Sequence, residues 1–160
     1  MGYTTDFKGS FKLGFSSGES KEKVTDIVNG LAKTRRMARD LTKIESTLKH
    51  PISYYGVEGE FYYEDTEDFG QNNNGSVLNF NKPPKTQPGL WLHWEVIGDN
   101  LEWNGSEKFY GYVRWLQYLI DNIFIPNGVI VEGEVEWFGE DRSDTGVISV
   151  SNNKIKTRTI

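Results

Sequence analysis

A strand-like alternation between Val129 and Phe138 constrains the fold of this chain more than any other feature of its sequence. Side chains of a strand point alternately to its two faces, so apolar and acidic residues would separate onto opposite sides. The acidic side would carry Glu132, Glu134 and Glu136. Because three neighbouring carboxylates repel one another, something must balance them: lysines on a neighbouring strand, a bound cation, a basic partner or water.

The composition is that of a folded chain with one domain. Its 160 residues include 36% hydrophobic and 26% charged side chains, which favours a globular fold over disorder. We predict a single α+β domain over residues 1–151 and a flexible basic tail over residues 152–160. The absence of cysteine excludes disulfides, thiolate metal sites and cysteine nucleophiles. No apolar run approaches the roughly 20 residues of a membrane span, so we predict a cytoplasmic protein without a membrane segment.

The charge and the aromatic content bear on the kind of partner. The net charge of −5 argues against general nucleic-acid binding, which needs a basic footprint, and it suits a basic partner or ordinary solubility. Aromatic residues make up 14% of the chain, so they either form a bulky core or lie in part on a binding face. No cofactor is predicted.

Hydrophobic periodicity divides the chain into strands and helices. The predicted strands are Thr5–Leu13, Tyr55–Tyr63, Leu90–Val96 with a short hairpin arm Leu101–Trp103, Val129–Phe138, and a last edge strand Val147–Val150. The predicted helices are about Ser17–Arg39, a short piece Leu41–Leu48, and a well-buried helix between Ser106 and Pro126. A long loop, Glu64–Pro88, separates the second and third strands; loops of this length are usually functional or disordered.

This order of elements is typical of the ferredoxin-like split βαβ fold. The predicted fold class is therefore α+β: an antiparallel sheet with two helices on one face and an extra C-terminal edge strand. The first and third predicted strands would be central, and the fourth would pair with the first.

The face of the sheet that the helices leave open is the main candidate for a binding surface. Its members would be Lys8, Lys12, Glu58, Glu60, Tyr62, Trp91, His93, Glu95, Glu132, Glu134 and Glu136. Lysines of the first strand would lie across from glutamates of the fourth, where each pair contributes roughly 0.2–1 kcal/mol and an acidic surplus remains. The face is interpreted as a solvated charge ladder, as a metal site, or as a surface that recognises a protein or small molecule; no metal ligands are assigned.

Few residues suit catalysis. His93 has no serine nearby to activate, which argues against Ser-His-Asp chemistry, and His50 lies in a linker. Paired carboxylates such as Glu58 and Glu60 would serve hydrolysis only if burial separated their pKa values. No catalytic residue is assigned.

Two further polar clusters allow more than one interpretation. Arg35, Arg36 and Arg39 form a basic cluster that would contact phosphate or an acidic protein, or would be a solvated helix end. Asp141–Gly146 has some features of a calcium loop but lacks the bidentate glutamate of the EF-hand pattern, so turn chemistry is the better account.

Five segments, spread over nearly the whole chain, carry a resemblance to known proteins: Met1–Phe7, Thr34–Met37, Gln87–Trp91, Lys108–Tyr110 and Gly133–Asp141. They resemble those of a family of small uncharacterised proteins of phages, prophages and bacteria. The resemblance implies a phage or mobile-element setting. Small acidic phage proteins often bind a host protein or sequester a signalling molecule, an analogy that does not depend on the fold.

Two functions from different classes follow. The first is a non-catalytic binding protein, a phage or mobile-element accessory factor of the host-defence inhibitor type that binds a host protein complex or a nucleotide signal. The alternative is a small hydrolase that uses carboxylates and His93 to act on a nucleotide or sugar under the Glu64–Pro88 loop. The identity of the partner, the host and the oligomeric state are left open.

Overall fold

Segments that are far apart in the chain form neighbouring strands of one antiparallel sheet. The structure, a computed structural model, describes residues 2–72 and 74–160. In chain order, the strands are β1 (Thr5–Gly14), β2 (Ala38–Arg39), β3 (Val77–Asn79), β4 (Trp94–Ile97), β5 (Asn100–Trp103), β6 (Ile130–Gly139), β7 (Thr145–Ser151) and β8 (Lys154–Thr159). Six of them form the sheet, in the spatial order β4-β5-β1-β6-β7-β8, and β2 pairs with β3 separately. The fold class is α+β.

Helices connect these strands. The α-helices are α1 (Gly18–Ala32) and α2 (Tyr112–Leu119). Helix α2 continues as a π-helical turn, Ile120–Phe124, and a 3-10 turn, Ile125–Asn127. Further 3-10 helices are Leu41–Thr47, Ile52–Tyr55 and Glu67–Gly70. Of the helices that the structure describes, none has the length and apolar character needed to cross a membrane.

The chain divides into two compact units. One, the sheet unit, comprises Met1–Asn29 and His93–Ile160, and the other, the loop unit, comprises Gly30–Leu92. The six-stranded sheet lies wholly in the sheet unit. The prediction of a single domain over residues 1–151 stays a prediction.

The core of the sheet unit follows from the alternation in its strands. The inward side chains of β1 and β6 are buried, among them Phe11, Leu13, Val131 and Val135. Helix α2 contributes buried aromatic and aliphatic side chains, and its Tyr112 carbonyl accepts a hydrogen bond of 2.9 Å from the indole N–H of Trp94. Each fully buried large apolar side chain stabilises the fold by about 1.5–3 kcal/mol. That two helices cover one face of the sheet stays a prediction.

The first helix ends seven residues earlier than predicted. It ends at Ala32, and beyond Thr34, whose N–H still donates to the Leu31 carbonyl, the backbone forms hydrogen bonds with distant residues of the loop unit. The N–H of Arg35 donates to the Phe69 carbonyl, the N–H of Arg36 to Leu90, and the N–H of Ala38 to Lys82. The predicted short helical piece exists as the 3-10 helix Leu41–Thr47, capped by Asp40.

The second predicted strand was wrong. Instead of a strand over residues 55–63, the 3-10 helix Ile52–Tyr55 is followed by turns. Gly56 and Gly59 adopt φ angles of 90° and 74°, which belong to turns and not to an extended strand. The alternation there was coincidental. Because the split βαβ pattern relied on this strand, the ferredoxin-like arrangement is not confirmed.

The C-terminal residues form a strand where a flexible tail was predicted. Residues 154–159 are β8, which pairs with β7 through a tight turn at Asn152 and Asn153. Both asparagines have positive φ, as a two-residue hairpin turn requires. The amide of Asn153 also bonds the Val131 N–H and the Val129 carbonyl. Strand β7 is therefore inside the sheet and is not its edge.

Candidate functional site

The predicted pairing of the acidic strand with the first strand is confirmed. Lys8 lies opposite Glu136, and Lys12 lies opposite Glu132. Their side chains are exposed on the side of the sheet away from the core, a surface we call the charged face. In the described part of the chain neither lysine comes within ion-pair distance of a carboxylate, so the ladder is solvated and each pair contributes modestly.

Strand β8 adds positive charge to this face. Its cations pair with neutral residues of β7: Lys154 with Ser151, Lys156 with Ser149 and Arg158 with Val147. Strand β7 pairs on its other side with β6, so these cations lie one strand away from the glutamates. The order across the sheet is thus a cationic β8, a neutral β7, an acidic β6 and a cationic β1. The glutamates have positive columns on both sides, which corrects the predicted acidic surplus.

Five residues predicted for this face, among them His93, belong to no strand of the sheet. Glu58, Glu60, Tyr62 and Trp91 lie in the loop unit, and His93 lies in the sheet unit just before β4. Glu95 lies on β4, directly opposite Glu102 of β5. The third predicted strand was expected to be central, but β4 is an edge strand of the sheet.

The ring of His93 packs against the core. Its centroid lies 5.1 Å from that of the buried Phe109, in an edge-to-face arrangement. His93 was predicted to be an accessible member of the open face. The ring is instead half-buried.

Glu60 is a buried carboxylate that stabilises a turn. Only 4% of its surface is exposed. Its two oxygens accept hydrogen bonds from the backbone N–H groups of Val57 and Glu58, at 3.1 and 2.7 Å. Its carbonyl accepts a bond of 2.6 Å from the Gln87 side chain. Each carboxylate oxygen therefore satisfies a backbone donor, which is a structural role.

Arg36 lies inside the loop unit with 2% of its surface exposed. Its guanidinium donates to the carbonyl of Tyr62 and to the hydroxyl of Thr34. The same hydroxyl donates to the Gly30 carbonyl at 2.7 Å, which links the end of α1 to the segment around Tyr62. Arg36 therefore stabilises the interior of the loop unit.

Arg39 is the second buried arginine. It donates to the Ser76 hydroxyl at 2.9 Å and, through longer bonds, to the carbonyls of Gly70 and Asn72. Burial lowers the pKa of its guanidinium. The predicted basic cluster is therefore not a surface cluster, because two of its three arginines are inside the loop unit and hold the long loop.

The third arginine, Arg35, lies among aromatic rings at the surface. Its guanidinium carbon is 4.5 Å from the ring centroid of Phe80 and 5.8 Å from that of Trp91. Its Nε donates to the Phe80 carbonyl at 2.9 Å, and its backbone N–H donates to the Phe69 carbonyl at 2.8 Å. The rings of Phe69 and Trp91 meet edge to face, with centroids 6.1 Å apart. These four residues are the Arg35 cluster.

Phe69 is exposed and its backbone is strained. The ring and backbone of this residue are 61% exposed to solvent. Asp68, Phe69 and Gly70 have consecutive φ angles of 48°, 56° and 63°. A non-glycine residue in this region costs roughly 1–2 kcal/mol, and such strain concentrates at functional sites. The fold thus holds a phenylalanine in water at an energetic cost.

The N-terminal segment is bonded to the turn between β6 and β7. The Tyr3 hydroxyl donates to Asp144 at 2.8 Å, and the indole N–H of Trp137 donates to the same carboxylate at 2.9 Å. The backbone N–H of Thr4 donates to Glu140 at 2.6 Å. Two of the segments that carry the resemblance therefore meet here. Nearby, burial raises the pKa of Tyr112 to about 12.

The turn itself has ordinary turn chemistry. Asp141 accepts bonds from the backbone N–H and the hydroxyl of Ser143, and these bonds lower the pKa of Asp141. Among residues 2–72 and 74–160, no group of three or more histidine or acidic side chains is placed to hold a metal ion.

Sequence reasoning named Arg35 and Trp91 but assigned them to different surfaces, and it missed Phe69 and Phe80. The only indication in the sequence for Phe69 and Phe80 was that both lie in the long loop Glu64–Pro88.

The chain matches no protein-family model, no curated protein and no solved structure.

Proposed function

We propose that this is a non-catalytic binding protein that engages a partner protein through the Arg35 cluster. The observation that carries the proposal is the exposed Phe69 ring on a strained but well-bonded loop. The resemblance to phage and prophage proteins suggests that the partner is a host protein complex and that the protein is a mobile-element accessory factor.

The chemistry of the cluster suits a protein interface. Aromatic residues and arginine are enriched at the energetic centres of such interfaces. Arg35 holds the loop at two places, because its backbone N–H donates to the Phe69 carbonyl and its Nε donates to the Phe80 carbonyl. Little side-chain or loop entropy is then lost on binding, which favours affinity. Leu78, also 61% exposed and two residues before Phe80, extends the apolar surface.

A nucleotide signal fits this surface less well than a protein does. Base recognition uses an open aromatic face on which the base stacks. The guanidinium of Arg35 already lies over the rings of Phe80 and Trp91. The carboxylates on which a hydrolase would depend also have other partners, since Glu60 accepts from two backbone N–H groups and Glu134 accepts from Ser149.

A capture experiment with matched variants tests the proposal. Phe69→Asn removes the ring but suits the left-handed backbone, because asparagine tolerates that region. Val57→Ser is the control: it removes an apolar side chain that is 98% exposed in the same unit, outside the cluster. Wild type, Phe69→Asn and Val57→Ser are immobilised and incubated with bacterial host lysate, and captured proteins are quantified by mass spectrometry.

We expect one protein complex to be enriched equally by wild type and Val57→Ser, and at least about tenfold less by Phe69→Asn, as for an interface hot spot. Equal enrichment by Phe69→Asn, or no enriched protein, contradicts the proposal. A thermal shift of the wild type by a member of a nucleotide panel, growing with nucleotide concentration, would instead identify a nucleotide ligand.

A further inference from the structure

The two edge strands of the six-stranded sheet, β4 and β8, differ in whether their outward backbone groups have hydrogen-bond partners. At the β4 edge, the side-chain amide of Asn29 bonds the outward backbone groups of Val96: its Nδ2 donates to the carbonyl at 2.9 Å, and its Oδ1 accepts from the N–H at 2.8 Å. One side chain thus occupies the position of an additional strand. At β8, within the residues that the structure describes, no group occupies the corresponding position.

The register identifies which backbone groups of β8 are outward. The N–H of Ile160 donates to the Thr145 carbonyl of β7 at 2.8 Å. Backbone groups of an antiparallel strand alternate between its two sides, so every second residue from Ile160 faces β7. Ile155, Thr157 and Thr159 therefore direct their N–H and C=O groups away from the sheet. An exposed row of this kind is a template for another strand.

The side chains of β8 restrict what such a strand can be. Lys154, Lys156 and Arg158 project on the charged face, and their neighbours on β7 are neutral. A strand beside β8 would therefore meet a column of positive charge. Antiparallel pairing with β8 of a second copy, related by a two-fold axis through the sheet, would place these cations opposite one another, which is destabilising. An acidic strand would continue the alternation of charge across the sheet.

We propose that the β8 edge binds an extended acidic segment of a partner protein as a seventh strand. Backbone bonds to Ile155, Thr157 and Thr159 would give affinity, and carboxylates on alternate residues would lie beside Lys154, Lys156 and Arg158. This surface belongs to the sheet unit and does not depend on the Arg35 cluster, so either site can fail without the other.

Synthetic hexapeptides test the proposal. The probe is an acetylated, amidated peptide of three Thr-Glu repeats, and the control peptide has three Thr-Lys repeats. Binding to the full chain is followed by NMR, with amide hydrogen exchange of the β8 residues as the readout. Two variants separate backbone from side-chain effects: Thr157→Pro removes one outward N–H, and Thr157→Val keeps it.

We expect the acidic peptide to slow exchange at Ile155, Thr157 and Thr159, and the lysine peptide to leave exchange unchanged. Thr157→Pro and Lys156→Glu should each weaken binding about tenfold, Thr157→Val should not, and the affinity should fall with added salt. Absence of protection, equal binding of the lysine peptide, or unchanged affinity of Thr157→Pro overturns the proposal. If the wild type self-associates and Thr157→Pro does not, the β8 edge is a dimer interface and the proposal is overturned.

Discussion

The two units place charged residues in opposite environments. In the sheet unit, strands satisfy one another's backbone groups, and charged side chains such as Lys8 and Glu136 remain on the surface. In the loop unit, Arg36 and Glu60 are buried because the irregular backbone depends on them for hydrogen bonds. Buried backbone groups need partners, and a segment without a strand ladder takes them from side chains. We therefore expect the exposed charged residues of the sheet unit to matter little for stability and the buried Arg36 and Glu60 of the loop unit to matter much.

The largest expected effect is at Arg36. Arg36→Met fills similar volume but leaves the Tyr62 carbonyl and the Thr34 hydroxyl without this donor, and we expect a loss of about 3 kcal/mol in the free energy of unfolding. The measurement is urea denaturation. Arg114→Met, at an exposed position of α2, is the control and should change stability by less than about 0.5 kcal/mol. Equal stability of the two variants would remove the proposed difference between the units.

Glu60→Gln should have the next largest effect. The glutamine amide keeps one acceptor oxygen, but its NH2 group replaces the other. One of the two backbone N–H groups that donate to the carboxylate would therefore lose its acceptor. We expect about 2 kcal/mol of destabilisation in thermal or urea unfolding. The matched control is Glu58→Gln, two residues away and exposed, which should be nearly neutral. A stable Glu60→Gln variant would show that the turn holds without the carboxylate.

Phe69 tests whether the loop unit stores strain. Phe69→Gly and Phe69→Ala remove the same exposed ring, but only glycine adopts a φ of 56° without cost. Phe69→Gly should therefore be more stable than Phe69→Ala by about 1 kcal/mol, although glycine also raises the entropy of the unfolded chain. Thermal unfolding of both variants is the measurement. If alanine is the more stable replacement, the left-handed conformation is not a source of strain.

The smallest effect is expected on the charged face. A double-mutant cycle between Lys12 and Glu132 should give a coupling energy of about 0.2–1 kcal/mol at low salt, and it should fall toward zero in about 1 M salt. Urea denaturation of the wild type, Lys12→Ala, Glu132→Ala and the double variant supplies the four values. A coupling that persists in high salt would indicate a buried pair, and this face would then resemble the loop unit.

The alternation of apolar and polar residues correctly predicted those strands that have one buried face and one exposed face. It predicted β1, β6 and their pairing, because Val131 and Val135 had to face the core and the glutamates had to face water. The hairpin arm at Leu101–Trp103 and the strand at Val147–Val150 are also confirmed, within β5 and β7. In each case local pattern and tertiary burial agreed.

The same pattern failed in the loop unit. Residues 55–63 alternate as a strand does, but Gly56 and Gly59 turn the chain and the Glu60 side chain bonds its own backbone. Periodicity carries no information about such local bonds. The Arg35 cluster was also beyond prediction, since its rings come from positions 69, 80 and 91 and meet only after the long loop has folded.

The place of β1 between β5 and β6 has a consequence for how the chain folds during synthesis. Gly14 precedes Gly139 by 125 residues, so β1 is translated long before β6 is complete. At translation rates of about 5–20 residues per second, the delay is roughly 6–25 s. During that time Phe11 and Leu13 lack the β6 residues with which they pair, Gly133 and Val131. Contacts so distant in sequence close slowly, so we expect the pairing of β1 with β6 to be a late step in the folding of the sheet.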